Sequence, residues 1–270
     1  MDERPEPAHD VLTALAIAVV VYVVAKLVHE ALGHGLICVL VDGELRGFST
    51  SWCDCDKALV SEWGDRAVKG GGTLANLIVG GVFLGLSRRG RIVSGAAYYF
   101  VWLSAAVNLF VGSGYLMVDP LFRFGDWGAF VAGLPLEGVW RVALAVTGAA
   151  LSLATFFALR APLQRLLGTQ ARLQRRAARV LCWLPWLAVG GVIMTGAALL
   201  NVLGPAYAFT SALATLGGTF LMVWLPLAVD PRGGVAPARR REIRRSPAWL
   251  AAGAVTLVGL VALLGPGARF

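Results

Sequence analysis

The feature that most limits what this chain can fold into is a long run without charge. No Asp, Glu, Lys or Arg occurs from Val180 to Val229, which is fifty consecutive residues. A helix needs about 20 apolar residues to cross a hydrocarbon core of about 30 Å, so the run is long enough for two crossings. Gly204-Pro205 is a suitable break between them. The run therefore predicts an integral membrane protein.

The rest of the chain agrees with this prediction. Of its 270 residues, 57% are hydrophobic and 15% are charged, unlike an ordinary soluble domain. Backbone groups in lipid must be hydrogen-bonded within their own segment, and the alternation expected of barrel strands is missing. We therefore expect an all-α, polytopic helical bundle. Its six to seven transmembrane helices are predicted at 11–40, 67–86, 92–118, 136–159, 180–203, 206–229 and 247–265.

The net charge of +8 is concentrated in two loops. Residues 160–179 and 232–245 contain six arginines each. Basic residues in short loops favour the cytoplasmic side and attract anionic lipid, so we expect the lipid bilayer as a partner. No aromatic residues are interleaved with these arginines, which argues against nucleic acid. This orientation places the N-terminus inside and the loop 42–66 outside.

One polar motif interrupts the first apolar segment. It reads His29-Glu30-Ala31-Leu32-Gly33-His34. Ionisable groups inside a membrane are costly and indicate a functional site. Two histidines beside a glutamate on a helix are how zinc hydrolases hold their metal and supply a base. The motif therefore predicts a Zn²⁺ site with His29 and His34 as ligands and Glu30 as the catalytic base.

Helix topology brings other polar residues to the same membrane face. The first and third helices run in the same direction, so their C-terminal ends share a face, and the second helix begins there. Asp119 and Asp126 follow the third helix, and the segment 70–76 opens the second. Three polar features are therefore expected to converge in one leaflet.

The sequence resembles the site-2-protease group of intramembrane zinc metallopeptidases in three segments. The motif at 29–34 resembles their HExxH helix. Gly72-Thr73-Leu74-Ala75-Asn76-Leu77 resembles their Gly-Pro-x-Ala-Asn-hydrophobic segment, with Thr73 where proline is usual. Asn108, followed by an acidic residue, resembles the segment that supplies their third ligand. The resemblance covers residues 15–130.

The resemblance implies a specific activity. Zinc held by two imidazoles and a carboxylate activates a water molecule, and Glu30 takes the proton and passes it to the leaving amine. Asn76 is implied as a catalytic residue that hydrogen-bonds the substrate backbone or the developing oxyanion. The implied function is a zinc metallopeptidase that cleaves a membrane-embedded peptide or protein in a bacterial or archaeal cell membrane.

The spacing of the two histidines departs from the family. His29 and His34 are five residues apart instead of four. On an ideal α-helix this change increases the angle between the side chains from about 40° to about 140°, too wide for one zinc ion. A π-bulge or an unwound turn would correct the angle, and Gly33 and Gly35 would permit it. The dipeptidyl peptidase III family binds zinc with a similar HExxGH spelling.

The third ligand has two candidates. Asp119 lies eleven residues after Asn108 and precedes a proline, and Asp126 lies eighteen after it, between a glycine and a tryptophan. We favour Asp126, because it follows a glycine, precedes a new apolar run and can return to the cavity from a re-entrant loop. Asp119 then caps or braces the turn at Pro120, but it stays the alternative ligand.

Other functions remain open for the same residues. His29, Glu30 and His34 could form the polar relay of a transporter or proton-coupled channel, or the protein could be a catalytically idle relative that binds metal. Lys26 lies one helical turn before Glu30 and could pair with it. Asn76 and Asn108 could serve only to bond helix to helix.

The cysteines and the domain organisation complete the predictions. Cys53-Asp54-Cys55-Asp56 could bind a metal, and Cys38 could form a disulfide with Cys53 or Cys55 if the loop 42–66 is extracytoplasmic. We divide the chain into three regions: a polar N-terminal tail, a metallopeptidase membrane core, and C-terminal transmembrane helices with basic loops, at 1–10, 11–134 and 135–270.

Overall fold

The computed structural model describes residues 9–89, 91–167, 171–200, 204, 209, 213, 215–228 and 241–270. It confirms the all-α class, and the chain is a multi-pass membrane protein: six helices in the described residues are long and apolar enough to cross a membrane. These are α1 (Val11–Leu40), α2 (Glu62–Arg88), α3 (Gly95–Phe122), α5 (Glu137–Gln164), α6 (Arg176–Leu199) and α7 (Pro247–Leu264). A short helix, α4 (Gly125–Val131), lies between α3 and α5.

Six of the seven predicted spans agree with these helices within five residues at every end. The other predicted span, 206–229, lies partly outside the described residues. Its described part contains helical residues at 209, 213 and 215–218, followed by two short 3₁₀ helices, Phe220–Val223 and Leu225–Leu227.

Helix α1 changes its winding along its length. Residues Val11–Leu27 are α-helical, Val28–Gly35 form a π-helix, and Leu36–Leu40 are α-helical again. Asp10 caps the beginning of the helix, because its side chain accepts hydrogen bonds from the backbone N–H and the hydroxyl of Thr13. The π-helix coincides with the polar motif of the sequence.

Helix α3 is the centre of the bundle. In its most apolar window 83% of the residues are buried, compared with 39% in α2, 28% in α5 and 11% in α7. Three of its buried aromatic side chains, Tyr98, Tyr99 and Trp102, donate hydrogen bonds to backbone carbonyls of α5 and α6. An unpaired polar group would be costly there, so these bonds fix how the neighbouring helices sit on α3.

A small antiparallel sheet covers one end of the bundle. Strands β1 (Glu44–Phe48) and β2 (Cys53–Asp56) form a hairpin after α1, and β3 (Ala268–Arg269) pairs with the other edge of β1. A disulfide between Cys38 and Cys55 ties the last turn of α1 to β2. The C-terminal region thus packs directly against the N-terminal one.

The opposite end of the bundle carries Arg165, Arg241 and Arg245, and we refer to it as the arginine-rich end. Arg165 donates hydrogen bonds to the carbonyls at the end of α2, Arg241 donates to the Ile92 carbonyl, and Arg245 pairs with Asp10 at the start of α1. The sheet and this end therefore lie at opposite ends of the helices. This separation matches the charge distribution from which the orientation was predicted.

The predicted span 206–229 lies between α6 and α7, and its described part packs beside α6. Helix α6 ends near Gly265, at the end with the sheet, whereas α7 begins at the arginine-rich end. Residues 216–223 run antiparallel to α6, because the carbonyl of Leu216 accepts a hydrogen bond from Trp186 and that of Val223 accepts one from Trp183. The carbonyl of Ala228 accepts a hydrogen bond from Arg160 on α5. The described residues therefore show six long membrane-spanning helices, and the predicted seventh span is described only in part.

Candidate metal centre

The π-helix of α1 places both motif histidines on the same side. The imidazole rings of His29 and His34 lie with their centroids 4.8 Å apart, edge to face. The Nε2 atoms of both point to one carboxylate oxygen, Oδ2 of Asp126, at 3.0 Å from His29 and 3.2 Å from His34. The structure thus brings together these three predicted metal ligands, whose ligand atoms all lie within 4.8 Å of one another.

The wider winding removes the geometric objection to the five-residue spacing. Hydrogen bonds in a π-helix join residues five apart, so positions i and i+5 lie above one another instead of on different faces. Gly33 makes this path possible where α1 meets α2. A Cβ on Gly33 would lie 2.3 Å from Cα of Gly72, so a larger residue would separate the two helices.

The tautomer of His29 is fixed by a chain of amides. Nδ1 of His29 lies 2.7 Å from Oδ1 of Asn76. The amide nitrogen of Asn76 donates to the Ala25 carbonyl and to Oδ1 of Asn108, so its oxygen must face the histidine. The nitrogen of Asn108 in turn donates to the Ser104 carbonyl. His29 therefore carries its proton on Nδ1 and presents the lone pair of Nε2.

Asn76 consequently has a different role from the one predicted. We predicted that it hydrogen-bonds substrate or oxyanion, but its carbonyl and both amide hydrogens already have partners inside the protein. Since an amide has no further hydrogen to donate, the arrangement makes Asn76 the residue that orients His29. The sequence could not distinguish these roles, because both need a buried amide on α2 facing the motif.

His34 is oriented in the same way by a backbone group. Its Nδ1 lies 2.6 Å from the carbonyl oxygen of Val68 on α2, which can only accept a hydrogen bond. His34 therefore also presents Nε2. Two imidazole lone pairs and a carboxylate oxygen then face one another in a buried space, and this arrangement requires either added protons or a cation between them.

Asp126 is carried by α4, which begins directly after the end of α3. Burial on its own would raise the pKa of this carboxyl, but His34 and His29 in their protonated forms outweigh burial and lower the pKa well below its usual range. Protons on the two imidazoles thus stabilise the ionised form of Asp126. The helix begins at Gly125 with φ +64°, a backbone conformation that favours glycine.

Asp119, the alternative third ligand, supports the turn and does not join the cluster. Its Oδ2 accepts a hydrogen bond from the Trp127 backbone N–H at 3.5 Å, and a Cβ on Gly125 would lie 2.5 Å from the same oxygen. The carboxylate thus lies against the first turn of α4. Of the two aspartates, Asp126 is the one that lies with the two histidines, and Asp119 braces the turn.

Glu30 follows His29 directly in the π-helix and is 5% exposed. Lys26 was predicted as a residue that could pair with it. In the structure the Lys26 ammonium donates a hydrogen bond to the hydroxyl of Tyr115 at 3.2 Å, and among the described residues it forms no ion pair within 4 Å. The ring of Tyr115 packs on His29 with centroids 4.6 Å apart. Lys26 therefore does not form an ion pair with the Glu30 carboxylate.

The Cys53-Asp54-Cys55-Asp56 segment does not provide a pair of thiolates for a metal. Cys55 is the disulfide partner of Cys38, which decides between the two partners that the sequence allowed. Burial, together with the negative charges of Glu30 and Asp54, raises the pKa of the Cys53 thiol to about 12. A protonated thiol is a poor metal ligand. Strand β2 also contacts the π-helix of α1 that carries the two histidines.

Two contacts at the centre were not predicted from the sequence. The indole Nε1 of Trp127 donates a hydrogen bond to Oγ1 of Thr73 at 2.8 Å, and the Val68 carbonyl accepts the bond from His34. The only sequence signal for the first was Thr73 itself, a polar residue within a glycine-rich helix. A backbone carbonyl leaves no signal in a sequence.

Fold and site together define a class: a multi-pass helical membrane protein in which two buried histidines and a half-buried aspartate form a cluster at one end of the bundle. Comparisons of the chain with protein-family models, with curated proteins and with solved structures found no match. Its function therefore has to be argued from the cluster itself.

Proposed function

We propose that this protein is an intramembrane zinc-dependent endopeptidase. The observation that carries the proposal is the convergence of both Nε2 atoms on Asp126, with Glu30 beside them, in a membrane-spanning helix. Such a cluster is costly in a membrane unless it has a function. The resemblance of residues 15–130 to site-2 proteases leads to the same activity.

The donor set fits zinc. Two imidazole nitrogens and one carboxylate oxygen are the ligands of catalytic zinc sites, which keep a further position for water. Mg²⁺ and Ca²⁺ prefer oxygen ligands alone, whereas imidazole suits zinc and its neighbours in the periodic table. Both second nitrogens are hydrogen-bonded to oxygen acceptors, as is usual for histidines that bind metal. His29, His34 and Asp126 would hold the ion.

A bound zinc ion would supply Lewis acidity to water and to the scissile carbonyl. Glu30 is the base that accepts a proton from the attacking water and transfers it to the leaving amine. Asn76, Asn108 and the Val68 carbonyl hold the two imidazoles in the required tautomer. Because the cluster lies within apolar helices, the substrate is a membrane-embedded peptide, locally unwound so that its amide bond is accessible.

The cluster opens on the extracytoplasmic side of a bacterial or archaeal cell membrane. Two features at opposite ends of the bundle support this side. The arginine-rich end favours the cytoplasm and contact with anionic lipid. At the other end, next to the cluster, lies the Cys38–Cys55 disulfide, and disulfides persist in oxidising compartments. The cleaved bond of the substrate is therefore near the outer leaflet.

The test is Glu30→Gln in proteoliposomes. Wild-type protein is mixed with a set of single-span peptides that carry fluorogenic pairs, and the products are identified by mass spectrometry. We expect cleavage by the wild type, loss of cleavage on chelation, and loss in Glu30→Gln with zinc content unchanged, because the amide cannot accept the proton. Undiminished cleavage by Glu30→Gln would disprove the assigned base.

The same samples test the alternative of a transporter or channel that uses His29, Glu30 and His34 as a proton relay. That alternative predicts proton flux that survives chelation, and no cleavage by the wild type. Zinc binding without cleavage or flux would indicate the catalytically idle relative.

A further inference from the structure

Asp126 is held against α2 by the residue next to it. The indole of Trp127 is 8% exposed and donates its N–H to the hydroxyl of Thr73, which is completely buried. The ring lies on Gly70, where a Cβ would be 3.6 Å from its edge, and packs against Phe130. Since Trp127 and Asp126 are adjacent in the first turn of α4, anything that moves the indole moves the carboxylate.

The other end of α4 is held by the same helix. The guanidinium of Arg66 on α2 is buried and donates hydrogen bonds to the carbonyls of Phe130 and Ala132. Carbonyls at a helix C-terminus have no partner within the helix and attract cations. The seven residues of α4 are thus attached to α2 at both ends, one bond near the ligand and two at the far end.

Helix α2 also orients the two histidines, through Asn76 and the Val68 carbonyl. Helix α2 therefore contacts both histidines and the short helix that carries Asp126, although it contributes no ligand itself. A metal ligand tolerates distance errors of about 0.2 Å, which a short helix after a glycine turn cannot guarantee without outside support. The Thr73–Trp127 hydrogen bond is the contact of α2 closest in sequence to Asp126.

We propose that the hydrogen bond between Thr73 and Trp127 positions Asp126 as the third metal ligand. The inference rests on the proposed zinc site and adds a role for the residue that stands where the similar family has proline. Thr73 and Trp127 are positioning residues: they act through Asp126 and touch neither metal nor substrate. Proline could not make this bond, because its side chain has no hydroxyl.

The test is the zinc affinity of purified full-length protein, measured by competition with a chromogenic chelator. Thr73→Val keeps the shape of the side chain and removes the hydroxyl, and Thr73→Ser restores it. Removing such a supporting contact lowers metal affinity by about 10- to 100-fold. We expect that loss in Thr73→Val and in Trp127→Phe, and an affinity close to wild type in Thr73→Ser.

A matched control is Thr147→Val on α5, where an exposed hydroxyl bonds only to the Ala143 carbonyl of its own helix. Zinc affinity should not change there. The visible spectrum of the cobalt-substituted protein adds a second readout, because it reports how many ligands surround the ion. In Thr73→Val it should change, as Asp126 moves away, whereas a purely structural role of Thr73 would lower the melting temperature and leave the spectrum as it was.

The outcomes separate the two proposals. Suppose that the wild type binds zinc and that Thr73→Val has the zinc affinity and cobalt spectrum of the wild type. This result overturns the positioning role of Thr73 and Trp127 and leaves the peptidase proposal standing. A wild type that binds no zinc overturns both. If Thr73→Val does not fold, Trp127→Phe decides alone, since it removes only the indole N–H and its ring edge.

Discussion

Replacing Gly72 by alanine should disable the metal centre with a single methyl group. Gly72 lies on α2 directly under the imidazole of His29. A Cβ at this position would lie 2.6 Å from Nε2 and 2.7 Å from both neighbouring carbon atoms of the ring. Nε2 is the atom that faces Asp126, so the methyl group would occupy the space closest to the proposed ligand atom.

The size of the effect follows from these distances. Carbon atoms in contact are normally about 3.5–4.0 Å apart, so the ring must move by about 1 Å. The ring cannot move freely, because its Nδ1 is hydrogen-bonded to Asn76 and the ring packs against Tyr115. A metal site tolerates about 0.2 Å. We therefore expect a loss of zinc affinity of at least about 100-fold, and a destabilisation of about 1–3 kcal/mol from overpacking.

The assay is zinc competition with a chromogenic chelator, combined with thermal unfolding in detergent. Gly81→Ala on the same helix is the control: no atom outside the neighbouring backbone lies within 4 Å of its Cβ position. That change should leave zinc affinity intact and stabilise α2 by up to about 1 kcal/mol, because alanine favours helix. Equal zinc affinity in Gly72→Ala and wild type would refute the assigned position of His29.

Three further predictions concern the support of the site. Asn76→Leu should lower zinc affinity by about 10- to 100-fold, because it leaves the Nδ1–H of His29 without an acceptor. Asn76→Asp retains an acceptor and should bind zinc. Equal affinities of the two variants in chelator competition would contradict this prediction. Alkylation of the unfolded protein should label two cysteines before reduction and four after it, since Cys38 and Cys55 are bonded; four labels before reduction, counted by mass spectrometry, would rule the disulfide out. In the folded protein Cys53 should react slowly at pH 8 and faster as the pH approaches 12, because only the thiolate reacts and its pKa is about 12; a pH-independent rate would contradict the burial of this thiol.

The sequence was sufficient for the helices and for much of the cluster. Hydropathy and the absence of charge locate membrane spans reliably, because lipid imposes one requirement on every residue of a span. The motif at 29–34 also indicated the distortion that it needed, because five-residue spacing and two glycines are compatible with a single metal only on a widened helix. Asp126 was favoured over Asp119 from the glycine before it, and that glycine has the positive φ of the turn.

The remainder depended on contacts that no local pattern encodes. Asn76 would be a buried amide whether it bound the substrate or oriented His29. Only the positions of Asn108 and of the Ala25 carbonyl show that both amide hydrogens of Asn76 are already hydrogen-bonded. The choice between Cys53 and Cys55 depended on how β2 lies along α1. The predicted span 206–229 contains 3₁₀ segments in its described part, although its composition predicted a full helix.

The central claim is that one ion is held by His29, His34 and Asp126, and metal analysis tests it most directly. Protein purified in detergent without added chelator is analysed by inductively coupled plasma mass spectrometry, beside His34→Ala and Asp126→Ala. We predict about one zinc per wild-type chain, as in mononuclear catalytic sites, and a large loss in each variant. Wild-type zinc content in both variants, or none in the wild type, would contradict the account.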